Sequence, residues 1–226
     1  GTNLSRMITR RHIRVKVMQL LYSKKFNTQN LKKNDEDWLY ESYNNFYNLY
    51  LFLLSLFTKI KLKTENHLKI NEKKYMPSNN NVFKKFSNNR IFDIIESHIT
   101  LLNFNYSNIK LDWNNYADYL SVIWNDIFKD KICMDYANQL EDNLTNDKIF
   151  ILKIYKKNIV CNLKLQELVE DISITGIDDF PLVNSLISNN INNLFKNSSK
   201  SNKFFKKDDD VSFMISLFKQ TINNEE

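Results

Sequence analysis

The 226-residue chain has little of what ligand-binding loops and β-architectures are built from. Glycine, proline and cysteine each occur twice, histidine three times and arginine five times. Two glycines cannot supply a Rossmann fingerprint, a Walker loop or a kinase glycine-rich loop, because each needs several residues without a Cβ where backbone meets phosphate. Scarce glycine and proline also remove the corners that sandwiches, barrels and propellers require. Cys133 and Cys161 are far apart in the sequence, with no CxxC and no paired histidine. They read as reduced thiols of a cytoplasmic protein rather than a metal or disulfide framework. Long apolar runs are missing as well. The most apolar stretch, Phe46 to Phe57, has twelve residues and is interrupted by Asn48 and Ser55. It is too short for a membrane span and suits a buried core helix. The basic N-terminus is followed by no apolar segment of signal-peptide type.

What is present is helical. Apolar residues make up 42% of the chain, and asparagine, the most frequent residue, supplies the turns that glycine does not. From Thr9 as N-cap, a helix is expected over Arg10 to about Lys25, with Ile13, Val17, Leu20 and Leu21 at i, i+4, i+7, i+8. Val15, Met18 and Tyr22 widen that stripe, and His12, Lys16, Gln19 and Ser23 fall on the open side. Further helices are expected over about Asp35–Leu68, Arg90–Leu102, Trp113–Lys129, Asn146–Asp171, Pro181–Phe195 and Val211–Ile222, the last capped by Asp210. Residues 69–90 read as a polar loop and 130–142 as undecided. Gly176 reads as a break, with Pro181 in a first helical turn. No strand-like alternation of useful length occurs, so the expected class is all-α.

Charge separates the start of the chain from the remainder. Residues 1–34 hold nine lysines and arginines and no acid, whereas residues 35–226 carry 23 positive and 26 negative side chains. Two readings fit this asymmetry: a polyanion partner, most simply nucleic acid, or a basic tail that serves solubility. Catalytic and metal chemistry find little support. His12, His67 and His98 have no metal-ligand spacing around them and read as surface or cap-adjacent imidazoles. Neither cysteine has a local base to activate it, and the carboxylates Asp208, Asp209 and Asp210 fall in an expected linker. No cofactor, metal or catalytic residue is therefore expected.

The segment TRRHIRVKVMQLLYS, residues 9–23, is different in kind. Arg10, Arg11 and Arg14 stand at the start of an otherwise buried helix. A guanidinium donates two parallel bonds to phosphate and stays charged, and a helix N-terminus presents free backbone N–H groups to the same anion. Lys16 adds a cation on the open side. His12 and Gln19 are placed to reach base edges of a single strand, while Tyr22 suits stacking, a partner contact or the core.

This run resembles the NusB family of transcription antitermination factors, in particular its longer Bacteroidetes form. That family opens with an arginine-rich stretch leading into a Gln-x-Leu-Tyr helix, matched here by Arg10, Arg11, Arg14, Gln19, Leu21 and Tyr22. Weaker similarity continues through IWNDI (123–127), FILKIYKKNI (150–159), DDFPLVNSLI (178–187) and LFKQTI (217–222). The resemblance implies an all-helical fold of two small bundles. Residues 7–196 would be the NusB-like helical region, 197–210 a linker and 211–226 the start of a C-terminal bundle. The family's closing helix is not matched, so the second bundle is expected to be truncated. The resemblance also implies binding of boxA-type single-stranded RNA from ribosomal leader transcripts, jointly with NusE, a small-subunit ribosomal protein, within the RNA polymerase antitermination complex. Arg10, Arg11 and Arg14 would be RNA contacts, with Gln19 and Tyr22 at or near the RNA and NusE surfaces. Two other classes compete with this reading. One is the NusB-like N-terminal domain of an rRNA methyltransferase, whose glycine-rich cofactor loops are missing here. The other is a helical scaffold without a nucleic-acid ligand.

Overall fold

The computed structural model describes residues 14–19, 21–22, 35–73, 80–105, 111–173, 175–196 and 207–223. Among these, all regular structure is helical and no strand occurs. The chain forms two compact units, one of residues 1–47 with 196–226 and one of residues 48–195.

The first unit contains helix α1, described at 14–19 and 21–22, the beginning of α2 (Asp35–Lys73) and α10 (Lys207–Asn223). Its buried side chains include Val17, Leu39, Tyr43, Phe46, Met214 and Phe218. The linker expected over 197–210 overlaps the start of α10. Residues 197–206 lie outside the described residues, and 207–210 are already helical, so Asp210 sits inside α10 rather than at its cap.

The second unit is wound around the remainder of α2. It contains α3 (Asn80–Ser87), α4 (Arg90–Asn105), a 3₁₀ turn (Trp113–Tyr116), α5 (Ala117–Lys129), α6 (Lys131–Ala137), α7 (Leu144–Ile154), α8 (Leu163–Ile172) and α9 (Gly176–Asn192). The core runs along Leu49–Leu54, Leu56 and Phe57, and includes Ile91, Ile95, Ile123, Ile127, Ile151, Ile159, Val183 and Ile187, all essentially inaccessible. Trp113 stacks on Phe52 at 4.2 Å between centroids and donates its indole N–H to the Phe52 carbonyl at 2.8 Å. Trp124 donates to Thr64 Oγ1 at 3.0 Å, and Thr64 in turn donates to the Ile60 carbonyl. Both large rings thus bury their area without stranding a donor.

Side-chain caps replace glycine turns in this unit. Asn143 accepts from the Asn146 N–H, Asn162 from the Leu165 N–H and Asp130 from the Ile132 N–H, at 2.8, 3.1 and 3.1 Å. Such caps satisfy donors that a helix start leaves open. The cap at Asn162 also divides the helix expected over Asn146–Asp171. α7 passes into a π-helical segment, Tyr155–Val160, turns at Cys161 and restarts as α8. Within the segment, Asn158 donates to Asp130 Oδ2 at 3.2 Å, a contact between distant parts of the chain that periodicity does not encode.

Three further expectations are corrected. The loop expected over 69–90 contains the last residues of α2 and all of α3, because Phe83 and Phe86 join an aromatic cluster with Trp124, Phe128 and Phe150. Burial of those rings outweighs the polar composition. Gly176 starts α9 rather than breaking the chain. A Cβ there would lie 2.4 Å from the Val169 carbonyl oxygen, so the missing side chain is what lets α9 begin against α8. Pro181 lies inside α9, where it has no N–H to donate to the Ile177 carbonyl four residues back. At the other end of α9, with no glycine available, Leu194 and Phe195 adopt left-handed φ values of 53° and 52°. The turn is closed by the Phe195 N–H on the Asn190 carbonyl at 2.8 Å.

Candidate nucleic-acid interface

Helix α1 places part of the arginine-rich segment in view. Arg14 is exposed and Val17 is buried, so the helix is seated through Val17 with Arg14 outside. Arg14, Met18 and Tyr22 follow one another at i, i+4, i+8, and all three are exposed, Met18 at 61% and Tyr22 at 67%. They form one row along the helix about 12 Å long. The row offers a guanidinium fork, a thioether and a phenol ring. Gln19 is half-buried beside it. Arg10, Arg11 and His12 lie outside the described residues.

Two placements differ from expectation. Spacing assigns Met18 and Tyr22 to the buried stripe, whereas both stand out from it. Spacing assigns Lys16 to the open side, but it is only 3% exposed, with its ammonium 5.7 Å from the Phe46 ring centroid. An ammonium over an aromatic face is stabilised by the ring quadrupole, so Lys16 packs within the first unit, against Phe46. Periodicity could not show this, since it depends on what α2 presents at Phe46.

The histidines of the described residues are not the surface groups that spacing implies. His98 is 3% exposed, with Nε2 3.1 Å from the Tyr50 hydroxyl and its ring 4.5 Å from that of Phe195. Burial lowers its pKa to about 4, so it is neutral at physiological pH. His67 is half-buried, with Nε2 3.0 Å from Asn71 Nδ2 and its ring against Phe83 and Trp124. Cys133 is buried and Cys161 exposed, both as free thiols. Burial, and then the charge of Asp130, pushes the Cys133 thiol up to about 12, which makes it a poor nucleophile. Among the described residues no three His, Cys, Asp or Glu side chains gather as a metal site.

A polar cluster that spacing does not reveal joins α4, α6, α7 and the turn between α3 and α4. Asp147 is 1% exposed and accepts from Arg90 Nε at 2.6 Å and from the Tyr136 hydroxyl at 2.6 Å. Asn89 donates to the same tyrosine oxygen and to the Asp147 carbonyl. Burial opposes the charge on Asp147, but the Arg90 and Tyr136 donors outweigh it and hold the carboxyl below its ordinary range. The cluster satisfies itself and ties α4, α6 and α7 to the turn that carries Asn89, an architectural role.

No protein-family profile, curated protein or solved structure matches this chain. Among the described residues no helix is long and apolar enough to cross a membrane.

Proposed function

We propose that this chain is a non-enzymatic RNA-binding factor of the antitermination type, recognising boxA-like single-stranded RNA together with NusE as part of the RNA polymerase complex in the cytoplasm. The observation that carries the reading is the N-terminal charge: nine cations and no acid over positions 1–34, with Arg14 outside a helix anchored by Val17. A cation fixed to a buried helix pays less ordering entropy on meeting a phosphate than one on a free tail. Tyr22, on the same exposed row, adds a ring of the kind on which unstacked bases rest. Arg10 and Arg11 extend the cationic set by sequence. Lys16 is left out of it, because it is only 3% exposed.

Filter binding to a boxA-like RNA and to a scrambled strand, across a range of salt, tests the reading. Each arginine–phosphate contact contributes about 0.7 to the logarithmic salt slope on a single strand. Replacing Arg10, Arg11 and Arg14 by alanine should weaken boxA binding and flatten the slope by about 2. Tyr22→Ala should weaken binding with the slope unchanged. A folded triple variant with wild-type affinity and slope would refute the proposal, and equal affinity for the scrambled strand would remove boxA specificity from it.

A further inference from the structure

The second unit carries a groove of about 370 Å³ between the C-terminal half of α2 and α5, lined in part by Lys59, Leu62, Lys63, Ile70, Leu120 and Trp124. We propose that it docks an acidic amphipathic helix of a partner protein. This rests on different residues from the RNA-binding reading, and either can fail without the other.

The geometry points to a helix. α2 buries Ile60, Thr64 and Leu68 at i, i+4, i+8 and turns Leu62 and Ile70 outward, 48% and 51% exposed. These two aliphatic side chains are eight residues apart, about 12 Å along the helix axis. A partner helix presents apolar side chains at i and i+7 with nearly the same separation, the usual pattern of helix-in-groove docking. Leu120 on α5 supplies part of the opposite wall.

Charge selects an acidic partner. The lining contains Lys59 and Lys63 and no carboxylate. The Lys63 ammonium lies 5.6 Å from the Trp124 ring centroid. Lys59 stands 4.0 Å from Asp112, whose side chain is more than half exposed, and donates to Asn114 at 3.3 Å. Such an exposed pair is worth little and exchanges readily for an incoming carboxylate. Glutamates flanking the apolar row of a docked helix would meet these two ammonium groups. The walls argue against a nucleic acid here: of the two rings in the lining, Trp124 is only 9% exposed and lies nearly parallel to Phe83, and half-buried His67 packs against the same Phe83. The remaining apolar lining is aliphatic.

The test uses the full chain and two fluorescein-labelled helical peptides of about 12 residues, three turns long. Both carry leucines at i, i+3 and i+7; one has glutamate and the other lysine at the flanking positions. Fluorescence anisotropy should show the glutamate peptide binding at least about tenfold more tightly than the lysine peptide. Lys59→Glu with Lys63→Glu should invert that preference, and an inverted preference itself shows that the variant is folded. Leu62→Asp should weaken the glutamate peptide about tenfold, while Arg14→Ala should leave it unchanged. Failure of the glutamate peptide to bind, equal binding of the two peptides, or a preference untouched by the double charge reversal would overturn the proposal. Loss of single-stranded RNA binding in the charge-reversed variant but not in Arg14→Ala would reassign the groove to nucleic acid. Concentration-dependent dimerisation that Leu62→Asp abolishes would reassign it to a second copy of the chain.

Discussion

Two stretches of α2 meet opposite fates. Residues 49–57 are buried around the whole circumference except at half-buried Ser55, whereas in residues 59–70 Ile60, Thr64 and Leu68 are buried and Leu62, Asn66, Lys69 and Ile70 face outward. The first stretch is a core element surrounded on all sides, and the second is a surface helix with one seated face. An exposed leucine is ordinary by itself. Two aliphatic side chains on the outward face of the same helix that supplies the core, beside lysines and a groove, are what give the second stretch its interest.

The largest predicted effect breaks the first stretch. Phe52→Ala removes a ring that is fully buried and stacked on Trp113, and should cost about 3–5 kcal/mol, read as a lowered urea midpoint. A loss below about 1 kcal/mol would mean that the stretch is not the core element described. Acid should come next, acting through His98 beside Tyr50. The His98 pKa is about 4 in the folded protein, against about 6.5 when unfolded. Above pH 6.5 both states are neutral and this histidine adds no pH dependence. As pH falls through 6.5 the unfolded chain takes up the proton first, so the fold should lose about 2 kcal/mol by pH 5. His98→Gln should flatten that slope between pH 7 and 5; an unaltered slope would show that the imidazole is not held neutral. The smallest effect sharpens the contrast. Leu62→Ser with Ile70→Ser should shift stability by about 0.5 kcal/mol or less, since both side chains are half in water already. A loss near that of Phe52→Ala would show that the outward face is packed after all.

The same contrast marks how far the sequence was legible. The apolar density of 46–57 announced a buried helix, and the helices expected from about Asp35, Arg90 and Trp113 start at those residues, although the first turn after Asp112 is 3₁₀. What stayed hidden depended on partners distant in sequence. The fate of Lys16 turned on Phe46, that of His98 on Tyr50 and Phe195, and the division of α7 from α8 on side chains of Asn158 and Asn162 that reach Asp130 and Asp126. In the candidate RNA interface, the exposed position of Arg14 followed from its place on the helix. The outward row that it forms with Met18 and Tyr22 did not, because the apolar-rich faces of that helix look equally fit for burial.

The sequence by itself determined the all-α class, the concentration of cations over positions 1–34 and the burial of the central stretch of α2. Those properties are set by composition and by helical periodicity, which act within one helix. Tertiary structure alone decided which apolar faces were left over. Helices have more apolar surface than their neighbours can cover, and only the packing of α2 and α5 leaves Leu62 and Ile70 beside two lysines in an open groove. The scarcity of glycine likewise took its meaning from packing. The one interior glycine, Gly176, sits where a Cβ would strike the Val169 carbonyl. Where α9 ends, Leu194 and Phe195 adopt left-handed φ at a local cost of about 1–2 kcal/mol each, and the buried Phe195 ring packs against His98, distant in sequence.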